Sequence, residues 1–350
     1  MPAFLTHYTC GLRALTSLPS EGTIARAIQS HPGVYHVGLA GPDLFFYSLE
    51  AYLHKGMTIG RIMHKYRTGR FLRGLFEGAM RLHGEERSCA LAYVAGFVGH
   101  YCLDSAAHFL VYRTCFMPDL KESLGKHFRY EAAMDVWCCE QLLKRPIGDA
   151  GLMQLIKTSE KEKRVISRLL FETIRGVYPD LKHTPTMRSL RLTMHEYVWI
   201  TRLLIDPSGF KEWVYCAAEK RILGFAWLSP LFINFRKYGL TERDWQRFQK
   251  RFDRGERKLR QLLTLMERAC EAEVHSNDDL RFGGADDGRM DAAEGRAAAG
   301  CRDTFYKALG SRSYHGFYHE EANSDLPLAE LEEIMLRRER ERKVLPETDP

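Results

Sequence analysis

The residues of this chain best suited to chemistry stand in two short runs. The first, His100-Tyr-Cys-Leu-Asp104-Ser-Ala-Ala-His108, spaces three groups able to bind metal at i, i+4 and i+8. Residues four apart share a helix face, with Cβ atoms about 6 Å apart. His100 with Asp104, or Asp104 with His108, can therefore hold one ion. His100 and His108 stand about 12 Å apart along a helix rising about 1.5 Å per residue, too far to share an ion. The carboxylate between them is placed to bridge two. The second run, His127-Phe-Arg-Tyr-Glu131-Ala-Ala-Met-Asp135, repeats the spacing on the next predicted helix. Imidazole nitrogens and carboxylate oxygens are ordinary zinc ligands. A buried hydrogen-bond network of His and Asp would use the same spacing, and on spacing alone both readings stay open.

Three sites nearer the start join these runs. Thr6-His7-Tyr8 stands close to the beginning of the sequence, and His64 lies in Gly60-Arg-Ile-Met-His64-Lys at an inward helical position. Gly41-Pro42-Asp43 precedes an aromatic run, Leu44-Phe-Phe-Tyr. Asp43 is also suited to cap a helix starting there.

Positioning such groups calls for helices, and helical periodicity dominates the first 245 residues while strand-like alternation is almost absent. The pattern predicts helices over 21–30, 43–53, 58–81, 87–112, 125–143, 152–174, 186–205, 212–218 and 241–272. Breakers separate several of them, among them His31-Pro32-Gly33, Gly41-Pro42 and Pro146-Ile147-Gly148. The expected organisation is a helical body over 1–245, an additional helix over 246–275, and a charged C-terminal segment over 276–350. In that last segment the Asp-, Gly- and Ala-rich stretch Ser276–Gly300 reads as disordered.

Composition narrows the function classes. Hydrophobic residues make up 45% of the 350 and charged residues 27%, which excludes fibrous and wholly disordered chains. The most apolar stretch, 89–112, carries His100, Asp104 and His108 in its middle and so reads as a buried helix rather than a membrane span. Nine scattered Cys with no CxxC pair, and no leader-like opening, lead to the expectation of a cytoplasmic protein with reduced thiols. Residues 276–350 carry 11 basic and 17 acidic side chains, which leaves 1–275 with a net charge of +12. A basic body favours anionic partners such as phosphates, acidic lipid or nucleic acid.

Taken in order, T-H-Y near the start, G-P-D before aromatics, a following helical His, H-x3-D-x3-H and H-x3-E resemble the zinc-dependent phospholipase C family. That superfamily also holds the S1/P1-type nucleases. The resemblance covers residues 1–135 by motif and 136–245 as further helices. It implies an all-α, multi-helix bundle and two or three Zn2+ ions. Carried over by motif, Asp43, His64, His100 and a bridging Asp104 would hold one ion, and His108, His127 and Glu131 a second. His7 and Asp104 would contribute to a third. For the ligand beside Asp43, His54 competes with His64, and the surroundings favour His64. Secreted members also ligate through an N-terminal Trp, whereas this chain opens Met-Pro. The implied activity is hydrolysis of a phosphodiester, with a zinc-bound hydroxide as nucleophile. Asp43 and Asp104 would be the catalytic carboxylates, Asp43 doubling as ligand and proton acceptor. The implied substrate is a phospholipid, met through peripheral contact with an anionic membrane. The alternatives are a nuclease of the same fold acting on nucleic acid and a non-catalytic metal-binding or interaction protein.

Overall fold

The computed structural model describes residues 4–48, 59–115, 120–145, 151–206, 208–223, 232–233, 239–282, 288–314 and 321–342. Among them the architecture is all-α. The helices are α1 (Phe4–Ala14), α2 (Thr23–Ser30), α3 (Pro32–Leu39), α4 (Ile59–Lys65), α5 (Thr68–Met80), α6 (Gly84–Cys115) and α7 (Leu120–Trp137). They continue as α8 (Leu152–Leu155), α9 (Glu160–Val177), α10 (Met187–Leu204), α11 (Phe210–Leu223), α12 (Glu242–Phe282), α13 (Gly288–Leu309) and α14 (Leu328–Arg342). A 3-10 segment, Gly41–Tyr47, comes directly after α3, and a parallel bridge links Ile205 to Ile233.

Helix α6 is the axis of the molecule. Every residue from Cys89 to Asp104 is buried, because α2, α3, α5, α9 and α12 pack along it and α1 and α7 cross its C-terminal half. Small residues let the backbones meet. At the α3–α6 crossing, a Cβ on Gly96 would lie 2.1 Å from the Tyr35 carbonyl oxygen, and one on Gly38 would lie 2.4 Å from that of Tyr93. The chain thus carries His100 and Asp104 on a helix with no solvent face at that depth, where ionisable groups need partners.

Several boundaries differ from the periodicity. The periodicity predicts neither α1 nor α3. Pro32 ends α2 and also opens α3, since the first helical position needs no N–H. The expected helix 43–53 begins as the 3-10 segment, and its remainder, with His54, lies outside the described residues. The expected helix 58–81 is split at Arg67, which takes a left-handed φ of 50°. The expected helix 152–174 is split because Ser159 forms a capping box with Glu162 and starts α9 afresh.

Arg67 also anchors the C-terminal segment. Its backbone N–H donates to Ala322 O at 2.8 Å. Its buried guanidinium donates to the carbonyls of Leu326 and Val177, at 2.7 and 2.8 Å, and to Asp180 Oδ1. Helix extends into both ends of the Asp-, Gly- and Ala-rich stretch, α12 running to Phe282 and α13 starting at Gly288. Alanine's high helix propensity favours this. Phe305 and Leu309 of α13 are buried in the core with Phe76 and α12. No helix among the described residues is long and apolar enough to cross a membrane.

Candidate metal centre

Five elements bring eight titratable side chains to one place near the C-terminal half of α6. Helix α1 supplies His7, the 3-10 segment Asp43, α4 His64, α6 His100, Asp104 and His108, and α7 His127 and Glu131. All but Asp43 are buried. They form three groups: His7, His100 and Asp104; Asp43, His64 and His100; and His108, His127 and Glu131. Within each group the ligand atoms lie within 4.8 Å of one another. Two ligands of a tetrahedral zinc, each about 2.1 Å from the ion, stand about 3.4 Å apart, so each group is of the right size.

Asp104 is the hub. Its Oδ1 is 3.1 Å from His7 Nε2, while Oδ2 is 3.1 Å from His100 Nε2 and 3.0 Å from His108 Nδ1. His100 Nε2 and Asp104 Oδ2 are close but make no hydrogen bond. Both atoms are buried with their lone pairs facing inward, as donors to a cation would be. The rings are oriented from behind. His100 Nδ1 bonds the Leu39 carbonyl at 2.9 Å and His64 Nδ1 the Gly60 carbonyl at 2.7 Å. Each carbonyl can only accept, so Nδ1 carries the proton and Nε2 is bare toward the centre. Gly41 makes room for this. It has φ +53°, and a Cβ there would lie 2.4 Å from the His100 ring.

Electrostatics couple the groups. Burial alone would raise the Asp104 carboxyl, but the imidazoles of His108, His100 and His7 outweigh it and hold the carboxyl well below its usual range. Glu131 is lowered in the same way, with burial opposed by His127 and His108. Burial would lower His108, yet Asp104 and Glu131 raise it well above the ordinary imidazole value. His7 goes the other way, lowered by burial and by His100, with which it stacks at 4.1 Å. A metal ion taken up at His108 would therefore displace a proton from it.

All eight of the residues expected as ligands are therefore brought together. His64 is the histidine beside Asp43, at 3.1 Å from its Oδ1. Asp43 accepts no capping bond at the start of its segment and turns to His64 instead. His100 sits in two groups rather than one.

Asp135, third in the second run, joins none of the groups. It caps α1 from a distance, accepting from Thr6 N at 2.7 Å, Thr6 Oγ1 at 2.6 Å and Leu5 N at 3.3 Å. Burial pushes its carboxyl up to about 8, against these donors. Asp135→Ala leaves two buried N–H groups unmatched next to His7, and thermal unfolding should show a loss of about 3 kcal/mol. Asp135→Asn keeps an acceptor and should cost about 1 kcal/mol.

Tyr314 was not foreseen. It is buried behind the centre, with its ring 5.1 Å from that of His64 and 5.6 Å from that of His100. Its N–H donates to His64 O at 3.0 Å. No sequence pattern marks it, because its neighbours are 250 and 214 positions away.

A family model described as zinc dependent phospholipase C matches residues 6–184, just over half of the chain. The chain belongs to the zinc-dependent phospholipase C family. The match takes in all eight clustered side chains, and Tyr314, α12 and α13 lie beyond it. No curated protein matches the chain. No solved structure matches it either. Family membership and the three donor groups together support a zinc-dependent hydrolase.

Proposed function

We propose that this chain hydrolyses a phosphodiester in the manner of a phospholipase C, with two or three zinc ions held by His7, Asp43, His64, His100, Asp104, His108, His127 and Glu131. The observation that carries this is Asp104, one buried carboxylate whose two oxygens face three imidazoles from two helices. Zinc, when bound, supplies an acidified water and offsets the charge of the phosphodiester.

The chain's own residues do the rest. His64 and His100 keep their bare Nε2 atoms aimed inward by donating Nδ1–H to carbonyls. Asp104 fixes the spacing of the donor groups on either side of it. Asp43 is the carboxylate most open to solvent, its side chain 19% exposed against 5% for Asp104 and 10% for Glu131. It accepts the proton of the attacking water at Oδ2, the oxygen not turned to His64. A cavity of about 20 Å³ lies between His7, Asp104, His108 and Glu131. That is room for about one water. Leu103, Val111, Met134 and Phe248 line its apolar side. We take the substrate to be a phospholipid, the class named in the description of the family whose model the chain matches.

The test is metal content by plasma mass spectrometry alongside a phosphodiester screen. The wild-type chain should carry two or three zincs and release a phosphomonoester from phospholipid. His127→Ala should lose one zinc equivalent and most turnover. A chain that retains no zinc after loading and desalting would overturn the proposal.

A further inference from the structure

Helix α11 is built inside out. It buries Glu212 and Glu219 and turns Phe210, Trp213, Tyr215 and Ile222 to solvent, with Phe210 and Trp213 each 64% exposed and Ile222 78%. The outer face of α10 continues the surface with Trp199 and Leu203, and Lys211 of α11 reaches back to the Leu203 carbonyl. Exposed aromatic and aliphatic side chains gathered on adjoining helices mark an interaction surface.

Charge says which kind. Residues 187–223 contain four carboxylates, Glu196, Asp206, Glu212 and Glu219, and all four are buried. Every Lys and Arg in the same span is exposed or half-buried. The outward face of this span is thus aromatic and cationic, with no carboxylate of its own, and Glu160 of α9 meets only its edge, 3.1 Å from His195 Nε2. Trp and Tyr favour the headgroup level of a bilayer, and surface cations are drawn to anionic lipid. A helix with this composition lies in the interface plane rather than crossing it, in keeping with the absence of any membrane-crossing helix among the described residues.

The inner faces of the same helices pack on the elements that carry the metal centre. Tyr197 of α10 packs edge-on against Tyr47 of the 3-10 segment that carries Asp43, with ring centroids 4.9 Å apart. Glu212 of α11 is 3.8 Å from Arg129, which lies between His127 and Glu131 on α7.

We propose that the outer face of α10 and α11 docks on an anionic phospholipid bilayer and sets the metal centre beside it. The docking stands on the surface alone. Only its link to catalysis rests on the proposed function.

The test is co-sedimentation of the full chain with vesicles of phosphatidylcholine alone or of phosphatidylcholine with phosphatidylserine. Wild type should bind the phosphatidylserine vesicles at least tenfold more tightly, with a blue shift of Trp emission. The double substitution Phe210→Ser with Trp213→Ser should lower that binding at least tenfold. Lys220→Glu with Arg221→Glu should abolish the preference for phosphatidylserine. These residues are exposed, and circular dichroism should be unchanged in each variant. Absence of wild-type binding to either vesicle, or binding indifferent to both variants, would overturn the proposal. So would self-association of wild type that the Ser variant abolishes while the vesicles stay bare, since the face would then serve a protein partner. A soluble chromogenic phosphodiester separates this from the chemistry. Its hydrolysis without vesicle binding ends the docking and leaves the hydrolase, whereas vesicle binding without hydrolysis of any phosphodiester does the reverse.

Discussion

Asp104→Asn should remove at least one zinc equivalent and lower phosphodiester hydrolysis on the order of 10³-fold, about 4 kcal/mol of transition-state stabilisation. The side chains are nearly isosteric, so packing on α6 is preserved and far-ultraviolet circular dichroism should not change. The difference lies in the donors. Asp104 offers an anionic oxygen on one side to His7 and on the other to His100 and His108. Asn keeps one neutral oxygen and presents an NH2 in place of the second, and an amide nitrogen with two protons has no lone pair to give a cation. One side of the bridge is lost outright and the other loses its charge. The effect should exceed the 10- to 100-fold typical of removing a partner behind a ligand. An Asp104→Asn chain that retains its full zinc and activity would overturn the bridging role.

The second large effect is on stability. Gly96→Ala should destabilise the fold by about 3 kcal/mol in denaturant titration, although alanine is the better helix former by about 1 kcal/mol. The new methyl would lie 2.1 Å from the Tyr35 carbonyl oxygen, and the obstacle is backbone rather than a side chain that can swing away. Helix α3 would have to lift off α6. Gly176 in α9 is the control, because a Cβ there meets nothing within 4 Å. Gly176→Ala should stabilise by about 0.5–1 kcal/mol. The damage at Gly96 should also reach the metal centre. Leu39 ends α3, and its carbonyl sets the His100 ring. Zinc affinity should fall in Gly96→Ala and hold in Gly176→Ala. Equal stability of the two variants would show that the helices do not meet as described.

How much the sequence disclosed depends on how local each signal is. The pairing of Asp104 with His100 and His108 depends on helical rise alone, so three residues within nine positions reveal it. The same spacing takes in Asp135, which spends its carboxylate on the N–H groups of Leu5 and Thr6 instead. No local pattern could show that, because its partners lie 129 and 130 positions away. Helix α1 was hidden for the same reason, since its first turn is capped by a residue on α7 rather than by its own neighbour. The break at Arg67 escaped because a left-handed arginine is favoured here by the carbonyls it reaches, at Val177, Ser324 and Leu326, and not by its flanking residues.

The docking of Arg67 and Tyr314 has a consequence for the order of events during synthesis. The chain emerges from its N-terminus, and domains tend to fold as they appear. All eight clustered side chains have been made by residue 131, yet the wall behind His64 and His100 arrives only with Tyr314. Until then the His64 carbonyl lacks its partner, and Arg67 lacks the carbonyls of Ala322, Ser324 and Leu326. The donor set is thus translated well before it is closed. A nascent chain passes through a period in which its imidazoles have been made but not yet enclosed, and the segment from Tyr314 to Leu326 is what shuts the centre from behind.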